Sequence, residues 1–239
     1  MFKRSLLMAA AIVVLIGCNS GPSLTAENTV GGANVVSTAQ APFANGTTSL
    51  SLDWGAKAQA GQVAIADVVS YGGSKIAITA PAGWQLIRDD SSPVTRQSLY
   101  WHAIEANDSS TAAWTFSEPV DAQGALLLLD NVAASAPIDM TTGATGTGGT
   151  VTARSVVTTA DGDLILSFFA SDFDRPDLAP SLPNDAKTVT IQETPSHEYW
   201  ILAIYQSQLG STEDQVSSAS QLFNWTAAQV AIKKGTATP

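Results

Sequence analysis

The sequence predicts an all-β protein, a two-sheet β-sandwich of jelly-roll-like type. Three observations lead there. From about residue 47 onward the hydrophobic pattern is short and strand-like, and no amphipathic helix interrupts it. Charged residues are sparse at 13%, while Thr, Ser, Ala, Gly and Val are abundant, a balance that suits pleated, half-buried surfaces and tight turns. The strands also number roughly ten to twelve, too many for one flat open sheet, so two sheets must pack face to face.

The chain opens with a targeting pattern. Lys3 and Arg4 supply a positive start, and Leu6 to Ile16 is an apolar run. That run is shorter than the ~20 residues needed to span a bilayer, and suits the core of a cleaved signal peptide over residues 1–17. Leu15-Ile16-Gly17-Cys18 follows, and it resembles the lipobox of bacterial lipoproteins. The resemblance implies that Cys18 becomes the new N-terminus and carries lipid, diacylglycerol on sulfur and an acyl chain such as palmitate on nitrogen. It explains why the chain has a single cysteine, otherwise a free thiol in an exported protein. Two or more buried acyl chains hold firmly where one binds marginally. Asn19 rather than Asp after the cysteine implies, by the same resemblance, a place in the cell envelope at the outer membrane if the host is Gram-negative.

Loss of residues 1–17 removes Lys3 and Arg4, taking the formal charge from −10 to −12. An acidic domain with few cations has no electrostatic footprint for nucleic acid, and the anchor rather than charge must hold it to a membrane. Residues 18–46 are small and polar, and read as the lipidated cysteine with a flexible tether; Val30 to Val36 could instead form a first edge strand. The folded domain is expected over 47–235, with a frayed tail at 236–239.

Within the domain, Thr48 to Leu52 alternates at period two, and Gln62 to Ser70 is a mostly apolar run, the mark of a strand covered on both faces. Strands follow at Trp84–Arg88, Gln97–Ala106, Ala112–Phe116 and Gly124–Asp130, punctuated by Gly72-Gly73, Pro81-Ala82-Gly83 and Asp89 to Pro93. The pattern then begins again. Gly61 to Ile65 is matched by Gly162 to Leu166 at an offset of 101, Tyr100-Trp101 by Tyr199-Trp200 at 99, and Leu126–Leu129 by Val230 to Ile232 at about 103. This reads as an internal duplication of about 100 residues, with Thr141–Thr150 (TTGATGTGGT) as a Gly/Thr linker between the halves.

Pro81-Ala82-Gly83-Trp84, Tyr100-Trp101, Trp114-Thr115-Phe116-Ser117, Pro137-Ile138-Asp139 and Gly162-Asp163-Leu164 resemble an uncharacterised module of secreted, cell-surface and phage-linked bacterial proteins. The resemblance runs over roughly residues 47–235 and departs after Ala170, where SDFDRPDLAPSLPND replaces a second Pro-Ala-Gly-type turn. It implies a β fold and no particular activity.

Catalytic patterns are thin. No G-x-S-x-G elbow or H-E-x-x-H pair occurs, and only His102 and His197 could serve as imidazole bases. Glu105 with Asp108, and Glu118 with Asp121, straddle turns rather than line one strand face, as a carboxyl pair for glycoside hydrolysis would. No catalytic residue is assigned. The acidic run Asp172, Asp174 and Asp177 could offer calcium the hard oxygen ligands it prefers, although Arg175 can neutralise it internally; no other cofactor is expected. Among six tryptophans, Trp84, Trp101, Trp114 and Trp200 fall at strand positions where core packing is the default, whereas Trp54 and Trp225 could be rim aromatics for a sugar face. Two functions remain: a non-catalytic binding or adhesion module for a glycan or envelope protein, or a polysaccharide hydrolase or lyase on a jelly-roll scaffold.

Overall fold

The computed structural model describes residues 32–55, 58–172, 187–194, 197–206 and 208–235. Cys18 and the targeting segment lie outside the described residues, as do Asp174 and Asp177. The fold is all-β and sandwich-like. The first half of the chain contributes β1 (Asn34–Asp53), β2 (Val63–Ser70), β3 (Ile78–Thr79), β4 (Gln85–Ser91), β5 (Arg96–Ala103) and β6 (Thr111–Asp130). The second half contributes β7 (Ile138–Ala153), β8 (Val157–Thr158), β9 (Asp163–Ser171), β10 (Lys187–Thr194), β11 (His197–Gln206), β12 (Gly210–Ser211) and β13 (Gln215–Ile232).

Each half forms its own antiparallel sheet. The first runs β1-β6-β2-β5-β4, with β3 added to β6, and the second runs β10-β11-β9-β13-β7. Reversed, the second order is β7-β13-β9-β11-β10, the wiring of the first half repeated strand for strand. Strands do not alternate between the sheets, as they would in a jelly roll. Across the interface β4 lies by β7 and β1 by β10, the exchange that a two-fold axis along the strands produces.

The central strands show why the halves cannot stand apart. Alternate residues of β2 (Val63, Ile65, Val69) and of β9 (Leu164, Leu166, Phe168, Ala170) meet in one shared core with Leu127, Leu129, Ile201 and Val230. The remaining residues of each strand face outward, yet they are buried too. The outer face of the first sheet is covered by the far end of its own β1–β6 ribbon. Leu50, Leu52, Trp114 and Phe116 pack on Ala64, Ala66, Val68 and Tyr100. The β7–β13 ribbon does the same on the other side, setting Val151 and Ala153 against Phe169, Trp200 and Leu202. Both central strands therefore read as mostly apolar runs.

Several expectations need correction. Residues 34–46 are not tether: β1 starts at Asn34 and pairs with β6 from Asn34↔Asp130 through Ala41↔Gly124. Their small side chains suffice because the leucines of β6 supply the apolar surface. Residues 141–150 are not a linker either, since they form the body of β7 along β13. A side chain at Gly146 would place its Cβ 2.6 Å from the Trp225 ring, so this strand needs glycine to lie on the tryptophan. The connection between halves is instead the short segment after β6, ending at Pro137. Ala112–Phe116 and Gly124–Asp130 are one bent strand, and Pro119 falls where the β1 ladder breaks, between Thr47↔Val120 and Ser49↔Thr115.

The repeat holds, with one slip of register. Val63 and Leu164 pair with Leu129 and Ile232, and with Ala103 and Tyr205, giving offsets of 101, 103 and 102. Tyr100 thus corresponds to Leu202 rather than Tyr199. The offset of 99 differs from 102 by an odd number and so exchanges the faces: Tyr100 lies in an outer cluster and Tyr199 in the shared core.

Candidate functional site

A concavity of about 460 Å³ opens where the strand ends β1, β2 and β5 meet. Its walls are Trp54 and Gly55 after β1, Ala58 to Ala60 before β2, and Ile104, Glu105, Ala106, Asp108 and Ser110 in the β5–β6 loop. Backbone bonds fix this geometry. Trp54 N donates to Ser110 O at 2.9 Å, Ile104 N to Gln62 O at 2.8 Å, and Gly61 N to Ile104 O at 2.9 Å. The Gln62 side chain accepts from Gln59 N at 2.8 Å and closes the turn below.

The tryptophan wall is itself held by aromatics. Trp54 packs on Trp84 with ring centroids 5.9 Å apart; Trp84 stacks on His102 at 5.4 Å and meets Trp114 edge-on at 4.8 Å. The Pro81-Ala82-Gly83-Trp84 turn sets this stack. Gly83 has φ +85°, and a Cβ there would sit 3.1 Å from His102 Cε1, so backbone conformation and ring approach both call for glycine.

Both ring nitrogens of His102 are occupied. Its Nδ1 lies 3.0 Å from Gly83 O and its Nε2 2.8 Å from Asp108 Oδ2. Asp108 also accepts from Glu105 N at 2.7 Å. Against the upward push of desolvation, the Glu105 N–H and His102 hold the Asp108 carboxyl below its usual range. The rim thus carries a fixed carboxylate at Asp108 and an exposed one at Glu105.

The other residues singled out from sequence are placed as follows. Trp54 is 8% exposed and presents only part of its ring to the concavity. Trp225 is 9% exposed and lies in the outer cluster with Phe169 and Trp200, beneath Gly146. Neither is an open platform. Asp172 accepts from Asn224 N at 2.6 Å and Asn224 Nδ2 at 2.7 Å, so both its oxygens are engaged in tying β9 to β13. No group of three or more metal-ligating side chains occurs among the described residues. Asp121 accepts from Gly46 N at 2.8 Å and steadies the β1 bend. The two histidines do not meet. His102 pairs with Ala64 at the start of β2, whereas His197 lies against Tyr71, past its end, with ring centroids 3.6 Å apart.

Two buried carboxyls were not among the candidate site residues. Asp67 points into the shared core at the position matched by Phe168 in the other half. It accepts from Gln97 Nε2 at 2.8 Å and has Tyr199 of the opposite sheet as neighbour. Burial pushes it up to about 8. Asp163 opens β9 beside Asp139 of β7, joining two motifs 24 residues apart in sequence. Only alternation could have flagged Asp67, as the one charged residue on the inward face of β2.

No helix among the described residues is long and apolar enough to cross a membrane. No protein-family model, curated protein or solved structure matches this chain.

Proposed function

We propose that this chain is a lipid-anchored extracytoplasmic protein whose β-sandwich holds a short glycan segment in the Trp54 concavity without transforming it. The anchor rests on Leu15-Ile16-Gly17-Cys18 and the single thiol. In that reading Cys18 carries the lipid, the chain sits at the cell envelope on the outer membrane, and the segment between Cys18 and β1 spaces the domain from the bilayer. Acidic charge and scarce cations argue against nucleic acid as a partner.

The observation that carries the binding reading is the composition of the concavity. A tryptophan wall stands against Glu105, Asp108, Gln59 and Ser110, and the volume is in the range of small-ligand sites. Trp54 backs the concavity with a small part of its ring, and the carboxylates and amides of the rim accept and donate at the hydroxyls of a sugar. The carboxyl pair favours holding over hydrolysis, because Asp108 is committed to His102 and the Glu105 amide.

Two experiments test the two parts. Screening the full chain in detergent against a glycan array should find a ligand that changes tryptophan fluorescence, and Glu105→Ala should weaken it about tenfold, or ~1.4 kcal/mol. Binding that is indifferent to Glu105 and Gln59 substitutions would place the ligand elsewhere. Cys18→Ala should abolish lipid labelling and release the protein from membranes; unchanged attachment would contradict the anchor.

A further inference from the structure

The end of the sandwich that receives both chain halves is closed by a small seam. Ala133 N donates to Lys233 O at 3.1 Å, Lys233 N to Pro137 O at 2.8 Å, and Gly235 N to Asn131 O at 2.6 Å. The C-terminal segment thereby fastens the connection between β6 and β7. Against this seam stand two carboxyls. Asp139 is half-buried and accepts from Thr159 N at 2.6 Å and Thr159 Oγ1 at 2.5 Å, with Lys233 Nζ 3.9 Å away as a more distant ion partner. Asp163 is fully buried, and among the described residues neither of its oxygens has a protein donor within reach. Its carboxyl instead faces that of Asp139, close enough for a hydrogen bond between them.

Two ionised carboxylates can only accept, so such contact is bonded only if one of them carries a proton. Donors surround Asp139 and, among the described residues, none reaches Asp163, which assigns the proton to Asp163. We propose that Asp139 and Asp163 share a single proton, and that this pair is a pH-sensitive clasp on the seam closing the sandwich. The charged groups acting on Asp163 are Asp139 of β7 and Lys233 and Lys234 of the C-terminal segment. Desolvation, then the negative charge of Asp139, raise Asp163 to about 7. Asp139 is held low by Thr159, with Asp163 and Lys233 adding to this, against its own desolvation.

Between the ordinary aspartate value of about 4 and the raised value, the closed state holds a proton that the open state does not. Closure is therefore tight in acid and weakens as pH rises through that window, levelling off once Asp163 is ionised in both states. Asp139 acts oppositely, but only at lower pH.

Amide hydrogen exchange on the full chain tests this, corrected for intrinsic rates. Protection at residues 131–137 and 233–235 should fall roughly tenfold between about pH 5 and pH 8. Asp163→Asn supplies a permanent N–H donor to Asp139 and should hold that protection constant within about twofold. Carboxyl-carbon NMR of the unsubstituted protein, which needs no variant to fold, should show one aspartate of the pair titrating near neutrality. A pair titrating wholly in the ordinary carboxylate range, or an Asp163→Asn protein with the original pH response, would overturn the clasp. None of these readouts depends on a glycan.

Discussion

Asp67 is the residue whose chemistry departs furthest from its surroundings. It stands between two sheets where its counterpart is Phe168, accepting from Gln97 with the Tyr199 hydroxyl of the opposite sheet beside it. A carboxyl raised to about 8 is protonated at neutral pH in the fold and ionised in the unfolded chain. Stability should therefore decline from about pH 4 to pH 8 and then level. Asp67→Asn should remove that component of the slope in urea titrations across the range, leaving the part due to Asp163. An unchanged slope would mean that Asp67 is ionised in the fold. Gly83 offers a second residue-scale check. Gly83→Ala forces a positive φ on an alanine and presses on His102, so it should destabilise by more than ~1 kcal/mol by denaturant midpoint. The glycine was legible as a turn residue. Its role as a seat for His102 was not, because nothing in a Pro-Ala-Gly-Trp string says which ring will approach it.

At the scale of elements, the strands buried on both faces were the most legible and the glycine-rich ribbons the least. β2 and β9 betray themselves as mostly apolar runs, since a ribbon covers whatever the partner sheet does not. β7 reads as a linker because its side chains are absent for a reason visible only in space, the tryptophan lying across it. Gly146→Val should accordingly destabilise strongly, and the same substitution at Gly148, where a Cβ would meet nothing within 4 Å, should be far milder. Comparable losses at both positions would argue against the ribbon's placement. On the other side, Trp114 is fully buried between the β1–β6 ribbon and its own sheet. Trp114→Ala should cost about 3–5 kcal/mol, measurable as a lowered urea midpoint. The candidate site followed the same rule. Trp54, His102, Glu105 and Asp108 could each be singled out from the sequence, but their convergence depends on how the β5–β6 loop closes against the end of β1.

For the whole molecule, the repeat was visible in the spacing of central strands and hidden in how the halves unite. Each half alone would leave one apolar sheet face uncovered: Val63, Ile65, Leu99, Leu127 and Leu129 on one side, Leu164, Phe168, Ile201 and Val230 on the other. The two faces cover each other in the manner of a two-fold dimer carried on one chain. The concavity at Trp54 belongs to the first half only, and the Asp139–Asp163 pair to the second, so the halves share wiring and differ in chemistry. This union carries the account, because the seam, the buried Asp67 and the site's rigid backing all presuppose it. Scanning calorimetry of the full chain tests it most directly. A single transition is expected, with calorimetric and van't Hoff enthalpies equal, as one cooperative core requires. Two resolved transitions, each of about half the total enthalpy, would show that the sheets fold separately and would contradict it.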